Sequence, residues 1–159
     1  MPARSGHPLG FLRSIMTNRL PQLVELTTAL LAEGAVLNQR NTWDISGVVD
    51  RFALPTLPAS VPPLKLFVRC KYPPGSNHSF TLHTRILDPQ GKKVIESGGS
   101  ALRVSSSIAD EPAYGVTVIS CPAFRVDSPG DYHFQIFADG APLGEAILGI
   151  HRASRGPGA

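Results

Sequence analysis

The chain has 159 residues, 42% of them hydrophobic and 17% charged, with 15 glycines and 15 prolines. That length suits one domain, and the turn-forming content favours short strands over a helical bundle. The formal charge of +3 is carried by the ends: Arg4, Arg13 and Arg19 occur without an acid in residues 1–22, Arg152 and Arg155 without one in 151–159, and the segment between holds ten Lys or Arg against twelve Asp or Glu, a net −2. A basic face across the folded body is therefore not expected, and no apolar run approaches the roughly 20 residues of a membrane-spanning helix.

Residues 1–22 are rich in Gly, Pro, Ser and Arg without a lasting period and are read as a flexible arm. Their apolar residues split into Leu9–Leu12 and Ile15–Met16, without the continuous hydrophobic region of a secretory signal, so the default expectation is a cytoplasmic protein. The next segment, LVELTTALLAEGAVL, is balanced between helix and strand, because Leu23, Leu26, Ala29 and Leu30 also fit a helical stripe. A turn at Asn38–Asn41 leads into TWDISGVVDRF, whose β-branched Thr42, Ile45, Val48 and Val49 predict a strand. Pro55, Pro58, Pro62 and Pro63 make the following stretch an extended connection.

LKLFVRCKY alternates strictly, with Leu64, Leu66, Val68, Cys70 and Tyr72 on one face and Lys65, Phe67, Arg69 and Lys71 on the other. FTLHTRI places Phe80, Leu82, Thr84 and Ile86 inward and His83 outward. Asp88-Pro89-Gln90-Gly91 is a turn, and Gly98-Gly99 marks a break or bulge in the strand region that follows. YGVTVISC is the next strand, interrupted at Pro122. After the turn Asp127–Asp131, YHFQIFA alternates again; Asp139-Gly140 then signals a type I′ hairpin into PLGEAILGIH.

Seven or eight strands need two layers to bury their apolar faces. The expected fold is all-β: a single two-layer antiparallel β-sandwich over residues 23–151, immunoglobulin-like in general architecture, with residues 152–159 as a flexible tail. A small closed barrel is the alternative. Trp43 precedes both Cys70 and Cys121, so the antibody-type Cys-Trp-Cys order is missing. Two cysteines are too few for a disulfide framework and lack metal-site spacing; buried reduced thiols are expected, with one inter-sheet bridge left open.

The run LLAEGAVLNQRNTWDISGVVDRF and the late VDSPGDYHFQIFADGAPL carry a further pattern: Glu33-Gly34, Asn38, Ile45, Gly47, Asp50 and Arg51, then a Pro-Gly-Asp-Tyr turn and an Asp-Gly hairpin. In these features the chain resembles a bacterial family of small all-β proteins known only as a domain of unknown function. The resemblance covers about residues 24–151 and implies that the ambiguous first segment is a strand. It implies no activity. The arm at residues 1–22 and Trp43 depart from the family pattern.

Specific chemistries find little support. His78, His83 and His133 lie in the body, but there is no HExxH, no Cys/His ladder and no acidic calcium loop, so no metal is expected. None of Ser46, Ser79, Ser100 and Ser120 occupies a nucleophile elbow. A Cys121–His133–Asp131 grouping is better explained by packing of Cys121 in a core strand. Asp44 and Asp50, six residues apart on one strand, would stand about 20 Å apart, too far to share one reaction centre. No phosphate-binding glycine loop occurs, and no cofactor is expected.

By elimination, the expected function is a non-enzymatic accessory module that binds a protein partner or self-associates, or serves a structural role. The candidate interaction residues are Trp43, Asp50, Arg51, Lys65, Phe67, Arg69 and Lys71. An enzyme with a site assembled from separate strands and loops is the first alternative, and a weak nucleic-acid-binding module through the Lys65–Lys71 face is the second and less favoured one. A deep polar pocket joining His83, His133 and one acid would favour the enzyme, and an apolar patch or open sheet edge the binding module. Deleting residues 1–22 together with 151–159 removes five arginines and no acid, changing the charge from +3 to −2. Any affinity for heparin or DNA at low salt should fall sharply in this variant while the cooperative melt shifts by no more than about 0.5 kcal/mol. Binding isotherms across a salt series, paired with denaturant melts, check both.

Overall fold

The structure, a computed structural model, describes residues 24–75, 77–105 and 110–154. The expected arm at residues 1–22, and residues 155–159 of the expected tail, lie outside them. The described residues form eleven strands and no helix: β1 (Glu25–Leu37), β2 (Trp43–Val49), β3 (Arg51–Leu54), β4 (Ala59–Val61), β5 (Leu64–Tyr72), β6 (Asn77–Leu87), β7 (Lys93–Ser105), β8 (Ala113–Cys121), β9 (Phe124–Val126), β10 (Gly130–Ala138) and β11 (Ala141–Arg152). The ambiguous first segment is a strand, β1, paired on both sides by β2 and β5. Packing across two neighbours overrides its helical propensity.

The strands form three sheets, ordered β2-β1-β5-β8, β3-β11-β10-β6-β7 and β4-β9. This corrects the expectation of seven or eight antiparallel strands in a single sandwich. Two local causes account for the difference. The strand beginning at Trp43 leaves the first sheet at Asp50 and continues as β3, which runs parallel to β11; Asp50 C=O accepts from Gly149 N–H at 2.9 Å at the crossing point. Between Pro58 and Pro62, the three residues of β4 keep their N–H groups and pair with β9, which starts just beyond Pro122. A proline brackets each short strand without interrupting it.

One hydrophobic core joins the larger sheets. Leu64, Leu66, Val68, Cys70 and Tyr72 on β5 meet Phe80, Leu82 and Ile86 on β6, Tyr132, Phe134 and Ile136 on β10, and Leu148 and Ile150 on β11. These inward positions agree with the alternation read from the sequence. Phe124 of β9 packs between Tyr132 and Phe134, with ring centroids 6.0 and 5.8 Å away. The Tyr132 hydroxyl donates to Ser128 C=O at 2.9 Å, tying the turn before β10 to its own strand. Gly98-Gly99 lies at a register shift between β6 and β7, the expected bulge. β11 extends through Arg152 beside Leu54, and Ala153 N–H donates to Leu54 C=O, so a cut before His151 would remove two β3-pairing residues. The C-terminal trimming point therefore belongs after residue 154.

Two glycines with left-handed φ separate backbone preference from crowding. Gly47 on β2 has φ of 62°, and a Cβ there would meet Glu33 Cβ at 3.0 Å; Gly140, in the β10–β11 hairpin turn, has φ of 83° with open space around it. Both alanine variants lose the left-handed preference, but only Gly47→Ala also crowds a neighbouring strand. Gly140→Ala should cost about 1 kcal/mol, and Gly47→Ala distinctly more, about 2 kcal/mol or above. Equal midpoints in denaturant melts of the two variants would contradict the crowding argument.

Candidate protein-docking site

The β1–β2 hairpin is closed by one side chain. Asn38 Oδ1 accepts from Arg40 N–H at 2.9 Å and Thr42 N–H at 3.1 Å, while Asn38 Nδ2 donates to Asp44 Oδ1 at 3.0 Å. Asn38 N–H donates to Thr42 C=O at 2.8 Å, and Asn41 takes the left-handed φ of 59° that Asn tolerates. β1 pairs with β5 only through Ala32, whereas its pairing with β2 continues to Leu37. Residues 33–47 therefore form a two-stranded arm beyond the four-stranded sheet. An isolated two-stranded ribbon is marginal in water, and this one leaves Val36 and Leu37 66% and 50% exposed.

The arm's tip meets the outward face of β5 and β8. Leu37, Trp43 and Ile45 from the arm and Phe67, Tyr114 and Val116 from the sheet line one concavity of about 560 Å³. Alternation creates the sheet side of it: burial of Leu66, Val68 and Cys70 turns Lys65, Phe67, Arg69 and Lys71 outward. The β5–β8 register then sets Arg69 opposite Val116 and Lys71 opposite Tyr114. Arg69's guanidinium lies 4.1 Å from the Tyr114 ring centroid, a cation–π contact. Lys65 Nζ donates to Ser120 Oγ at 2.8 Å. Tyr114 is still 47% exposed.

Of the candidate residues, Trp43 and Phe67 line the concavity, and Arg69 reaches it through Tyr114. Lys65 and Lys71 lie along the same sheet face. Asp50 and Arg51 do not join them: they form an exposed ion pair of 3.3 Å where the chain changes sheets. The guanidinium's hydrogen bond and charge hold the Asp50 carboxyl below its ordinary value. Leu37, Tyr114 and Val116 are lining residues that sequence reasoning missed. Their signal was present for β8, since Tyr114, Val116 and Val118 make its outward face apolar while Ala113, Gly115, Thr117, Ile119 and Cys121 face inward.

The outward face of the other large sheet is built differently. His83 is paired opposite Phe137 and His133 opposite Leu87, which separates the histidines by about 13 Å along the strands. His133 Nδ1 lies 3.1 Å from Glu145, while His83 stacks on Phe137 and approaches Glu96 at 3.8 Å. The two histidines thus pair with different acids. Among the described residues, no group of three His, Cys, Asp or Glu is placed to hold a metal. None of the described helices is long and apolar enough to cross a membrane, since the described residues form strands alone.

Cys70 and Cys121 are both buried and unbridged. They lie in adjacent strands, but Cys70 is opposite Gly115 and Cys121 opposite Leu64, about 20 Å out of register, far beyond the roughly 7 Å a disulfide spans. Burial pushes the Cys70 thiol up to about 11 and the Cys121 thiol up to about 12, each from an ordinary 9.0, and it raises the Tyr72 hydroxyl as well. The unfolded chain releases these protons first. Their contribution to stability is therefore complete below pH 9.0 and is lost as pH rises through about 11 to 12. Denaturant midpoints should fall over that alkaline window, and Cys70→Ala/Cys121→Ala should flatten the fall. A thiol reagent at pH 8 should label neither cysteine until the chain unfolds.

A family of unknown function, DUF6941, matches residues 27–151. No curated protein matches. Among solved structures, the chain is similar to the Pseudomonas fluorescens alkylpurine DNA glycosylase AlkC bound to DNA containing an abasic site analog, at 14% identity and a TM-score of 0.42. That likeness covers 89% of this chain and 36% of the glycosylase chain, so the present chain spans about a third of the glycosylase's length. The family match runs from β1 into β11 and takes in the β1–β2 hairpin, the concavity and the core: the chain belongs to the family of unknown function DUF6941.

Proposed function

We propose that the protein is a non-enzymatic binding module that seats a protein partner between the tip of the β1–β2 arm and the outward face of β5 and β8. The observation that carries this reading is the convergence of Trp43, Leu37, Phe67 and Tyr114 on one open concavity. Aromatic side chains in such positions anchor interfaces because they bury large area with few rotatable bonds. The arm supports the reading too, since its exposed apolar residues gain burial when a partner arrives.

We read the two larger sheets as an immunoglobulin-like sandwich with an added β4–β9 pair. The Tyr132–Ser128 hydrogen bond supports this, because a tyrosine at the start of a late strand bonding back to upstream backbone is a feature of that architecture. The cytoplasm is the proposed location, a setting in which two free thiols persist.

Trp43 and Tyr114 lie outside the buried core cluster. Trp43→Ala and Tyr114→Ala should therefore each shift the unfolding free energy by about 1 kcal/mol or less, instead of the 3–5 kcal/mol of a core aromatic. Each should weaken the natural complex by about 30-fold or more, equivalent to a hot spot of about 2 kcal/mol. The experiment is capture of the complex from the source cells with wild type and each variant, identification by mass spectrometry, and affinity measurement with the purified partner. A partner that binds both variants as tightly as wild type would refute the docking site. An isolated chain that turns over a substrate would move the assignment to an enzyme.

A further inference from the structure

The docking face has an electrostatic character that its partner must match. Among the described residues, no carboxylate comes within ion-pair distance of Lys65, Arg69 or Lys71, although Glu25 stands opposite Lys71 in register. Lys65 is held by a neutral hydroxyl and Arg69 by an aromatic ring. Three cations along β5 therefore have no anionic partner among the described residues, and Phe67 lies among them.

Resting on the docking reading above, we propose that the partner presents an acidic segment carrying one aromatic or large apolar side chain. The anchor enters the concavity beside Trp43 and Phe67, and flanking carboxylates face Lys65, Arg69 and Lys71. The concavity, about 560 Å³, is within the size range of sites that bury small ligands. Unpaired cations around an apolar centre reward a ligand with the opposite charge and repel a basic one. On this face the body's net charge of −2 favours an acidic peptide over a nucleic acid. A long polyanion extends past three local cations into the field of an acidic body, whereas a short acidic segment needs only the local match.

The test is a residue-resolved NMR titration of the full chain with four probes: a short Asp/Glu peptide centred on tryptophan, the same peptide with glycine for tryptophan, a Lys version of the first, and a single-stranded oligothymidylate. The acidic tryptophan peptide should shift the amides of Phe67, Arg69 and Val116 and the indole signal of Trp43. Its affinity should fall about tenfold or more with the glycine peptide, at high salt, and in Lys65→Glu/Lys71→Glu. Should the reversal lower the melt, Lys65→Gln/Lys71→Gln gives the same comparison with smaller perturbation. The proposal is overturned if the Lys peptide binds this face equally well, if none of these signals moves, or if oligothymidylate moves them and the acidic peptide does not. With the natural partner, a complex lost in Trp43→Ala but unchanged in the charge variants would leave the docking site standing and remove the acidic-partner inference. A complex indifferent to Trp43→Ala and Tyr114→Ala would remove both.

Discussion

The packing of β5 governs where the candidate site can be. Its inward residues, from Leu64 to Tyr72, are essentially without solvent exposure and touch the opposing sheet. Because side chains alternate with a period of two, their burial leaves Lys65, Phe67, Arg69 and Lys71 only the outward direction. A slip of one residue would exchange the sets and drive three cations into a core whose described residues offer no carboxylate. Register with β8 carries the constraint one strand further by setting Tyr114 and Val116 beside Lys71 and Arg69. The outward face of β5 and β8 is thus a by-product of core packing, and its geometry is set by the register of the sheet beneath it.

Two hairpins with the same local chemistry show how tertiary context makes one of them available. Asp88 closes the β6–β7 turn as Asn38 closes the β1–β2 turn: Asp88 Oδ1 accepts from Gln90 N–H and Lys92 N–H, and Gly91 takes the left-handed position that Asn41 takes. The resemblance ends at the next contact. Pro89 of the Asp88 turn packs against Gly130, where an added Cβ would fall 2.8 Å from the Pro89 ring, so this turn is sealed against the start of β10. The Asn38 turn ends an arm whose last residues pair only with one another. Like turn chemistry with unequal tertiary cover leaves Leu37 exposed and Trp43 half-buried.

The strands that alternate against a single core were legible from composition and spacing: β5, β6, β10 and β11 appear with the expected faces, and Asp139-Gly140 forms the hairpin, both residues at positive φ. Elements set by contact with distant residues were not. β4 is three residues between prolines and exists because β9 lies alongside it. The change of sheet at Asp50 has no local breaker and depends on the neighbouring edge of β11. The concavity was legible only in pieces. Trp43, Phe67 and Arg69 stood out by type, but their meeting with Leu37 and Tyr114 requires the β5–β8 register and the path of the arm, neither of which a periodicity contains.

The outward faces of the two larger sheets differ in how far their charged groups meet an opposite charge, and this difference supports the proposed placement of the docking site. On the five-stranded sheet Glu96 gathers Lys93, Arg85 and His83, and Glu145 takes His133; Arg85 also lies 5.1 Å from the centroid of Phe137, on which His83 stacks. Such partly exposed pairs contribute little to stability. They do engage one another, although Arg85 Nε is left buried without a hydrogen-bond partner, so a ligand arriving there must break existing contacts to make its own. On the four-stranded sheet Tyr114 is exposed, and Lys65 meets a neutral hydroxyl and Arg69 an aromatic ring. New ionic contacts there break no ion pair among the described residues, and the apolar centre supplies the burial that surface charges alone lack. That asymmetry, arising from which glutamates face which cations, supports the proposed placement of recognition on β5, β8 and the arm.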